Sequence, residues 1–429
     1  MGQSKLLQML EDKLLPVAAR IGTQRHMLAI RDAFSVIMPA LIVGSMATLI
    51  NNFPWQGFQD FMMNIFGEDW KIPGLMMYNM TMGILGLIVV FGIGYYLGKS
   101  YSLDGLSTAF VSTITFLILS PMTEDGGGIS LNWIGAKGLF LAMIVGILAT
   151  EGYRWIVSRG WTIKMPASVP PAVTQGFVSL TPSIIIFLIA GLLTAVISHF
   201  TGGLSATELI YQWLQAPFQE IGDSIFALSL LYLLRGALWF FGIHGTNVMG
   251  PITNSIMLPN MEENARQFAA GVSAFDVPKI ATSSFGDAFV SMGGTGVGLA
   301  LAIAIILVSR NKPTRDLSIG ATPAALFNIN EPLMYGVPIV LNVALIIPLL
   351  LAPVVCIIIA YTSMSIGLVP KTVAMIPWNM PIGIGGYLAV GGDIRGAILQ
   401  IVNLVVSVFI YLPFIRMNDR IAEKTANVE

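Results

Sequence analysis

Apolar runs of about twenty residues, the length that spans a bilayer core of roughly 30 Å as a helix, recur along this chain and limit what it can fold into. They lie near 29–50, 76–98, 103–120, 135–157, 176–199, 222–242, 287–308, 339–364 and 394–415. Charged residues make up 10% of the chain and apolar ones 55%. A soluble domain carries roughly a quarter charged residues, so no water-compatible surface can be assembled. The expectation is an all-α integral membrane protein. A net charge of −1 leaves no electrostatic footprint for nucleic acid.

Lys and Arg in short loops orient the spans. Lys5, Lys13, Arg20, Arg25 and Arg31 surround the start of the first run. Loop 51–74 sets Lys71 against Asp60, Glu68 and Asp69, and loop 121–134 holds Glu124 and Asp125 with no base. Arg154, Arg159 and Lys164 follow the fourth run; Arg310, Lys312 and Arg315 form another basic loop; Arg416, Arg420 and Lys424 close the chain. Both termini are therefore expected in the cytoplasm, which requires an even number of crossings. Nine runs are strong, so a tenth, irregular crossing is expected within 243–286, a stretch too polar and too rich in Gly and Pro for an ordinary helix. Ahead of the first run, Leu6, Leu7, Leu10 and Leu14 suit a short amphipathic helix on the membrane surface. Glu11, Asp12 and the lack of a long apolar core argue against a cleaved signal. The one cysteine, Cys356, sits in an apolar run as an inert, buried thiol.

Residues 1–205 read as plain spans joined by short loops, five helices serving as scaffold. Residues 206–221 read as an interfacial connector, with Tyr211 and Trp213 at headgroup level. Residues 222–429 differ, because three stretches cannot be continuous lipid-facing helix. The first, 243–286, contains Pro251, Pro259 and Pro278; the second, 321–338, contains Pro323, Pro332 and Pro338. The third, 377–393, contains Pro377, Pro381 and glycines 383, 385, 386, 391 and 392. Irregular backbone at membrane depth survives only when buried in protein or lining a watery cavity, and broken segments point to a transporter's binding site.

Those stretches carry the candidate residues. His244 lies between glycines at the end of a run, in Trp239-Phe240-Phe241-Gly242-Ile243-His244-Gly245-Thr246-Asn247, where backbone can approach a ligand or the imidazole can satisfy a helix end. Glu331, in Phe327-Asn328-Ile329-Asn330-Glu331-Pro332, is a carboxylate in apolar surroundings, a costly placement that marks function. The lesser alternative for the same residue is a structural hydrogen-bond hub. Trp378-Asn379 offers an apolar face beside an amide, or an interfacial anchor. Arg235, one helical turn before Trp239, either lines the site or lies near the inner interface. Glu331, Asn247 and His244 supply the paired donors and acceptors a polyol needs, Trp239 and Trp378 the planes for its C–H faces. No cluster of one charge suggests a charged substrate. No metal-binding acidic pair and no cofactor is called for. Asp287, Asp393, Arg395, Lys137 and Glu151 are expected to cap or anchor span ends, and Gly293-Gly294-Thr295-Gly296-Val297-Gly298 to serve close packing rather than phosphate binding.

Gly-Ile-His-Gly around His244, Asn-Ile-Asn-Glu-Pro around Glu331, and Leu-Met-Tyr-Gly-Val-Pro-Ile-Val-Leu-Asn over 333–342 resemble the enzyme IIC component of the phosphotransferase system, lactose/cellobiose/diacetylchitobiose family. The resemblance covers essentially the whole chain. It implies about ten transmembrane helices, two re-entrant hairpins in the second half, a homodimer made through the first half, and a second half that carries sugar. It further implies that Glu331 and His244 engage the O6 hydroxyl of a β-linked disaccharide, with Trp239 and Trp378 stacking on it. Asn247, Asn328, Asn330, Arg235 and Asn379 would complete the site. The phosphoryl group would come from a cysteine of a separate cytoplasmic IIB subunit, itself served by IIA, at the bacterial cell membrane; whether this chain counts as an enzyme by itself stays open. On physics alone an ion-coupled secondary sugar transporter, with Glu331 and His244 as a proton relay, fits as well.

Overall fold

A bilayer core offers backbone groups no water, so each N–H and C=O must pair within its own segment. The described residues do this in helices. The computed structural model describes residues 24–426 except Pro54, Glu124, Asp125, Ala167, Pro338, Val340 and Leu341. The expected surface helix over Leu6, Leu7, Leu10 and Leu14 therefore lies outside the described residues, as do Glu124, Asp125 and Pro338. Among the described residues no strand forms, and β pairing is limited to one isolated bridge between Met122 and Ile129.

The main helices are α1 (Arg25–Asn51), α2 (Gln56–Phe66), α3 (Ile72–Asn79), α4 (Leu85–Ser100), α5 (Gly105–Leu119), α6 (Leu139–Ser158), α7 (Pro171–Thr201) and α8 (Ala206–Gly222). They continue with α9 (Ile225–Phe240), α10 (Gly245–Ala269), α11 (Gly298–Val308), α12 (Lys312–Ala325), α13 (Glu331–Gly336), α14 (Val343–Ser365), α15 (Ile384–Ala389) and α16 (Ile394–Ala426). Six helical stretches among the described residues are long and apolar enough to cross a membrane, or seven if α8 and α9, bent by 82°, make one. Each of the nine apolar runs contains a helix, those at 103–120 and 287–308 the short α5 and α11.

Two runs behave differently from expectation. The stretch after residue 243 is not irregular throughout, because α10 is 25 residues long and runs through Pro251 and Pro259. Two of its asparagines, Asn260 and Asn264, are buried in protein. Asn260 Nδ2 donates to the Ala281 carbonyl at 2.8 Å, and Asn264 Nδ2 to the carbonyls of Lys279 at 2.7 Å and Thr372 at 2.8 Å. These amides satisfy the truly irregular backbone, residues 270–282. Conversely, the run at 287–308 becomes regular α-helix only at Gly298. Gly293, at φ +75°, sits where a Cβ would lie 2.0 Å from the Leu299 amide nitrogen, so the chain there makes a tight turn that only glycine fits.

The described residues form two compact units, one of 24–44 and 77–220, the other of 45–76 and 221–426. In the first unit, α4, α5, α6 and α7 enclose Val90, Phe116, Val145 and Ile186. Between helices in lipid the hydrophobic drive is absent, and packing is supplemented by hydrogen bonds worth about 0.6 kcal/mol each. Ser112 and Thr150 make one at 3.2 Å. Gln215 spans the start of α6, donating to the Ala136 carbonyl at 2.7 Å and accepting from the Phe140 N–H at 3.3 Å. Glu151 accepts from Tyr101 Oη at 2.5 Å and His26 Nε2 at 2.9 Å and pairs with Arg154, which explains its place in an apolar run.

The second unit takes in 45–76, a segment that sequence order groups with the first half. Short contacts account for this: Ser45 Oγ accepts the Met375 N–H, and the Phe53 ring lies where a Cβ on Gly392 would approach to 2.9 Å. The core of this unit, from α9, α11, α14 and α16, includes Trp239, Leu301, Leu349, Cys356 and Tyr411. Cys356 is buried 3.1 Å from Ser407 Oγ. Tyr411 Oη donates to the Gly296 carbonyl at 2.5 Å, tying the turn before α11 to α16. That turn forms the floor on which the candidate site stands.

Candidate functional site: a histidine and a carboxylate on a clamped turn

At the end of α9 the chain reverses at Gly242, φ +76°, and His244 begins α10 as its N-cap. The Asn247 N–H donates to His244 Nδ1 at 3.3 Å. With Nδ1 accepting, the hydrogen-bond network assigns the ring proton to Nε2, which points at Glu331 Oε1 3.4 Å away. Glu331 is the first residue of α13. The two side chains are 35% and 45% exposed, so as an ion pair they contribute little to stability. Their value is geometric: a donor and an acceptor meet at an open surface.

Three irregular stretches converge beneath this pair. Asn328 has φ +62°, a left-handed conformation that Asn tolerates better than most residues. Its Oδ1 accepts the Gly293 N–H at 2.6 Å and its Nδ2 donates to the Trp378 carbonyl at 2.5 Å. One side chain thus ties together the turn before α11, the segment leading to Glu331, and the loop after residue 377. Asn330, buried, donates from Nδ2 to the Thr295 carbonyl at 2.9 Å. Gly294, φ +88°, passes so close that a Cβ would lie 2.5 Å from the Asn330 side chain. Thr295 Oγ1 accepts from Arg235 Nε at 3.2 Å and lies 3.3 Å from Thr246 Oγ1, while Arg235 also reaches Ser291 at 3.4 Å.

The sequence-derived candidates therefore divide. Glu331 and His244 meet, and Asn247 stands exposed one turn into α10. Asn328, Asn330 and Arg235 are engaged in holding backbone and the turn. Trp239 is 1% exposed, its ring centre 4.5 Å from His244 and 5.9 Å from Tyr335, and its Nε1 has no hydrogen-bond partner among the described residues. Trp378 and Asn379 are exposed and joined to the rest through the Trp378 carbonyl. Ser291, Thr295 and Tyr335 escaped sequence reasoning. Tyr335 had a usable signal, its place four residues after Glu331 on a short helix; Ser291 and Thr295 had none, lying in what reads as an apolar span.

The family description "Phosphotransferase system, EIIC" matches residues 31–353. This chain belongs to that family. As an EIIC it is the sugar-specific membrane subunit of a phosphotransferase system, a multi-pass protein of the bacterial cell membrane that works with cytoplasmic subunits of the system. The lichenan permease IIC component of Bacillus subtilis is 38% identical to it over 438 residues, covering 99% of this chain and 96% of that protein. The cellobiose-specific EIIC component of Geobacillus stearothermophilus is 38% identical over 429 residues, covering 97% and 95%. The lactose-specific EIICB component of Staphylococcus epidermidis is 30% identical, covering 99% of this EIIC and 73% of that protein. The crystal structure of ChbC, the IIC component from the N,N'-diacetylchitobiose-specific phosphotransferase system, matches with a TM-score of 0.91 and 38% identity, covering 97% of this chain and 99% of that one.

Proposed function

We propose that this EIIC binds a β-linked disaccharide of the cellobiose, diacetylchitobiose or lactose type and presents its O6 hydroxyl for phosphorylation during import. The single observation that carries this is the open pair of His244 Nε2 and Glu331 Oε1, 3.4 Å apart. A sugar hydroxyl placed between them donates to the carboxylate and accepts from the imidazole. In the transfer step O6 attacks the phosphorus of a phosphocysteine on the cytoplasmic IIB subunit. The new O–P bond forms as the S–P bond breaks, the thiolate leaves, and the O6 proton passes to Glu331. Such a reaction asks the protein mainly for alignment and charge stabilisation. IIA in turn supplies IIB. The fused name of the lactose-specific EIICB relative supports an intimate partnership of the C and B components.

Around the pair, Asn247 hydrogen-bonds further hydroxyls and Trp378 with Asn379 covers the far end of the disaccharide. Trp239 backs His244. Arg235, Asn328 and Asn330 hold the site in register. We also assign cytoplasmic termini, ten crossings with two re-entrant hairpins, and a homodimer formed through 1–205, with 206–221 as connector and 222–429 as the sugar carrier. The basic loops favour this orientation, and family membership favours group translocation over ion-coupled transport.

The test is Glu331→Gln, which keeps size and hydrogen bonding but removes the base. A positioned base is worth about 10²–10⁴-fold in rate. Sugar phosphate formation in vesicles supplied with purified IIA and IIB should fall by that factor while folded protein persists. Near-normal phosphorylation would exclude the proposed role.

A further inference from the structure

Four side chains form a circle of neighbours. Glu331 and His244 stand 3.4 Å apart, His244 and Trp239 have ring centres 4.5 Å apart, and Trp239 and Tyr335 5.9 Å apart. Tyr335 returns to Glu331 four residues along α13. Residues four apart on a helix share a face, about one turn or roughly 6 Å along the axis. Of the two aromatic rings in this circle, Trp239 is 1% exposed and Tyr335 is 60% exposed. Trp239 has no ring face left for a ligand in this conformation. Tyr335 does, and its hydroxyl makes no hydrogen bond among the described residues.

We propose that Tyr335 supplies the apolar plane against which the reacting sugar ring lies, making it a specificity-determining contact, and that Trp239 is the buried backing that positions both His244 and Tyr335. The proposal rests on Glu331 and His244 being the hydroxyl site. A carboxylate and an aromatic plane one turn apart on the same face suit a single sugar ring: its hydroxyl reaches the carboxylate while its C–H face covers the tyrosine. The stacked ring carries the reacting hydroxyl, since a helical turn is too short to reach past it to a second sugar.

Equilibrium binding of cellobiose, diacetylchitobiose and lactose to the purified full chain tests this, with sugar-free thermal midpoints measured alongside. Tyr335→Ala should weaken binding of the preferred disaccharide by roughly tenfold, and Tyr335→Phe, which keeps the ring, by no more than about threefold. Midpoints should not move, because the ring is exposed. Tyr335→Ala binding within about twofold of wild type, while Glu331→Ala weakens binding, overturns the Tyr335 assignment and leaves the hydroxyl site standing. A loss in Tyr335→Ala that comes with a lowered midpoint and is not restored by Phe also overturns it, as a packing effect. If Glu331→Ala binds like wild type, or wild type binds none of these disaccharides, lactose included, the hydroxyl site itself falls and Tyr335 with it.

Discussion

Replacing Asn328 should cost more than replacing any residue that touches substrate, and the cost can be divided experimentally. Asn328 makes two hydrogen bonds to backbone, one from the Gly293 N–H at 2.6 Å and one to the Trp378 carbonyl at 2.5 Å. Each is worth about 1 kcal/mol net. Its φ of +62° adds a backbone term, because alanine in the left-handed region costs roughly 1–2 kcal/mol. Asn328→Ala should therefore lose about 3–4 kcal/mol in all. Asn328→Gly loses the same two bonds without the left-handed penalty and should be milder by about 1 kcal/mol. Asn328→Asp keeps the acceptor for Gly293 but gives up the donor to Trp378, and should fall nearest to wild type. Thermal midpoints of the purified variants in detergent, with disaccharide binding alongside, give the order Asp above Gly above Ala. Because the clamp lies three residues before Glu331, binding should fall in the same order. An alanine variant as stable as wild type, or a glycine variant no better than alanine, would refute the clamp and the strain argument respectively.

Gly294→Ala should prevent accumulation of folded protein, since the new Cβ would lie 2.5 Å from the Asn330 side chain at a φ of +88°; size-exclusion profiles after detergent extraction read this directly. Gln215→Leu should destabilise the first unit by about 2–4 kcal/mol by stripping partners from the Ala136 carbonyl and the Phe140 N–H. A lowered thermal midpoint with unchanged disaccharide affinity is the expected pattern, because Gln215 belongs to the unit that lacks the Glu331–His244 pair.

The architecture was legible wherever period and length alone decide. Every apolar run contains a helix, and the three polar, Pro- and Gly-rich stretches all lie in the unit that holds Glu331 and His244. What could not be read was how far each run is regular. The Gly and Asn content of 243–286 speaks against helix by propensity, yet α10 forms because Asn260 and Asn264 find backbone partners across the fold. Such partners, 21 and 108 residues away in sequence, leave no local trace. The run at 287–308 fails in the opposite sense: its hydrophobicity conceals a turn set by glycines and held by Tyr411 from 115 residues away. Likewise the assignment of 45–76 depends on Ser45 and Phe53 meeting residues far along the chain.

The same distinction governs the site. An asparagine at membrane depth is a signal of function only in that it must be satisfied, and either backbone or substrate can satisfy it. Asn328 and Asn330 are spent on backbone, whereas Asn247 is exposed. Trp239 and Tyr335 divide the same way, one buried as support and the other open. Residue type alone cannot separate these roles, because both need the same chemistry; exposure can. Irregular backbone in a membrane must consume many polar side chains merely to exist, so in a transporter of this construction most polar residues near the site should prove to be scaffold. Glu331, His244, Asn247, Tyr335, Trp378 and Asn379 are among those that remain open, and the proposed sugar site is built from them.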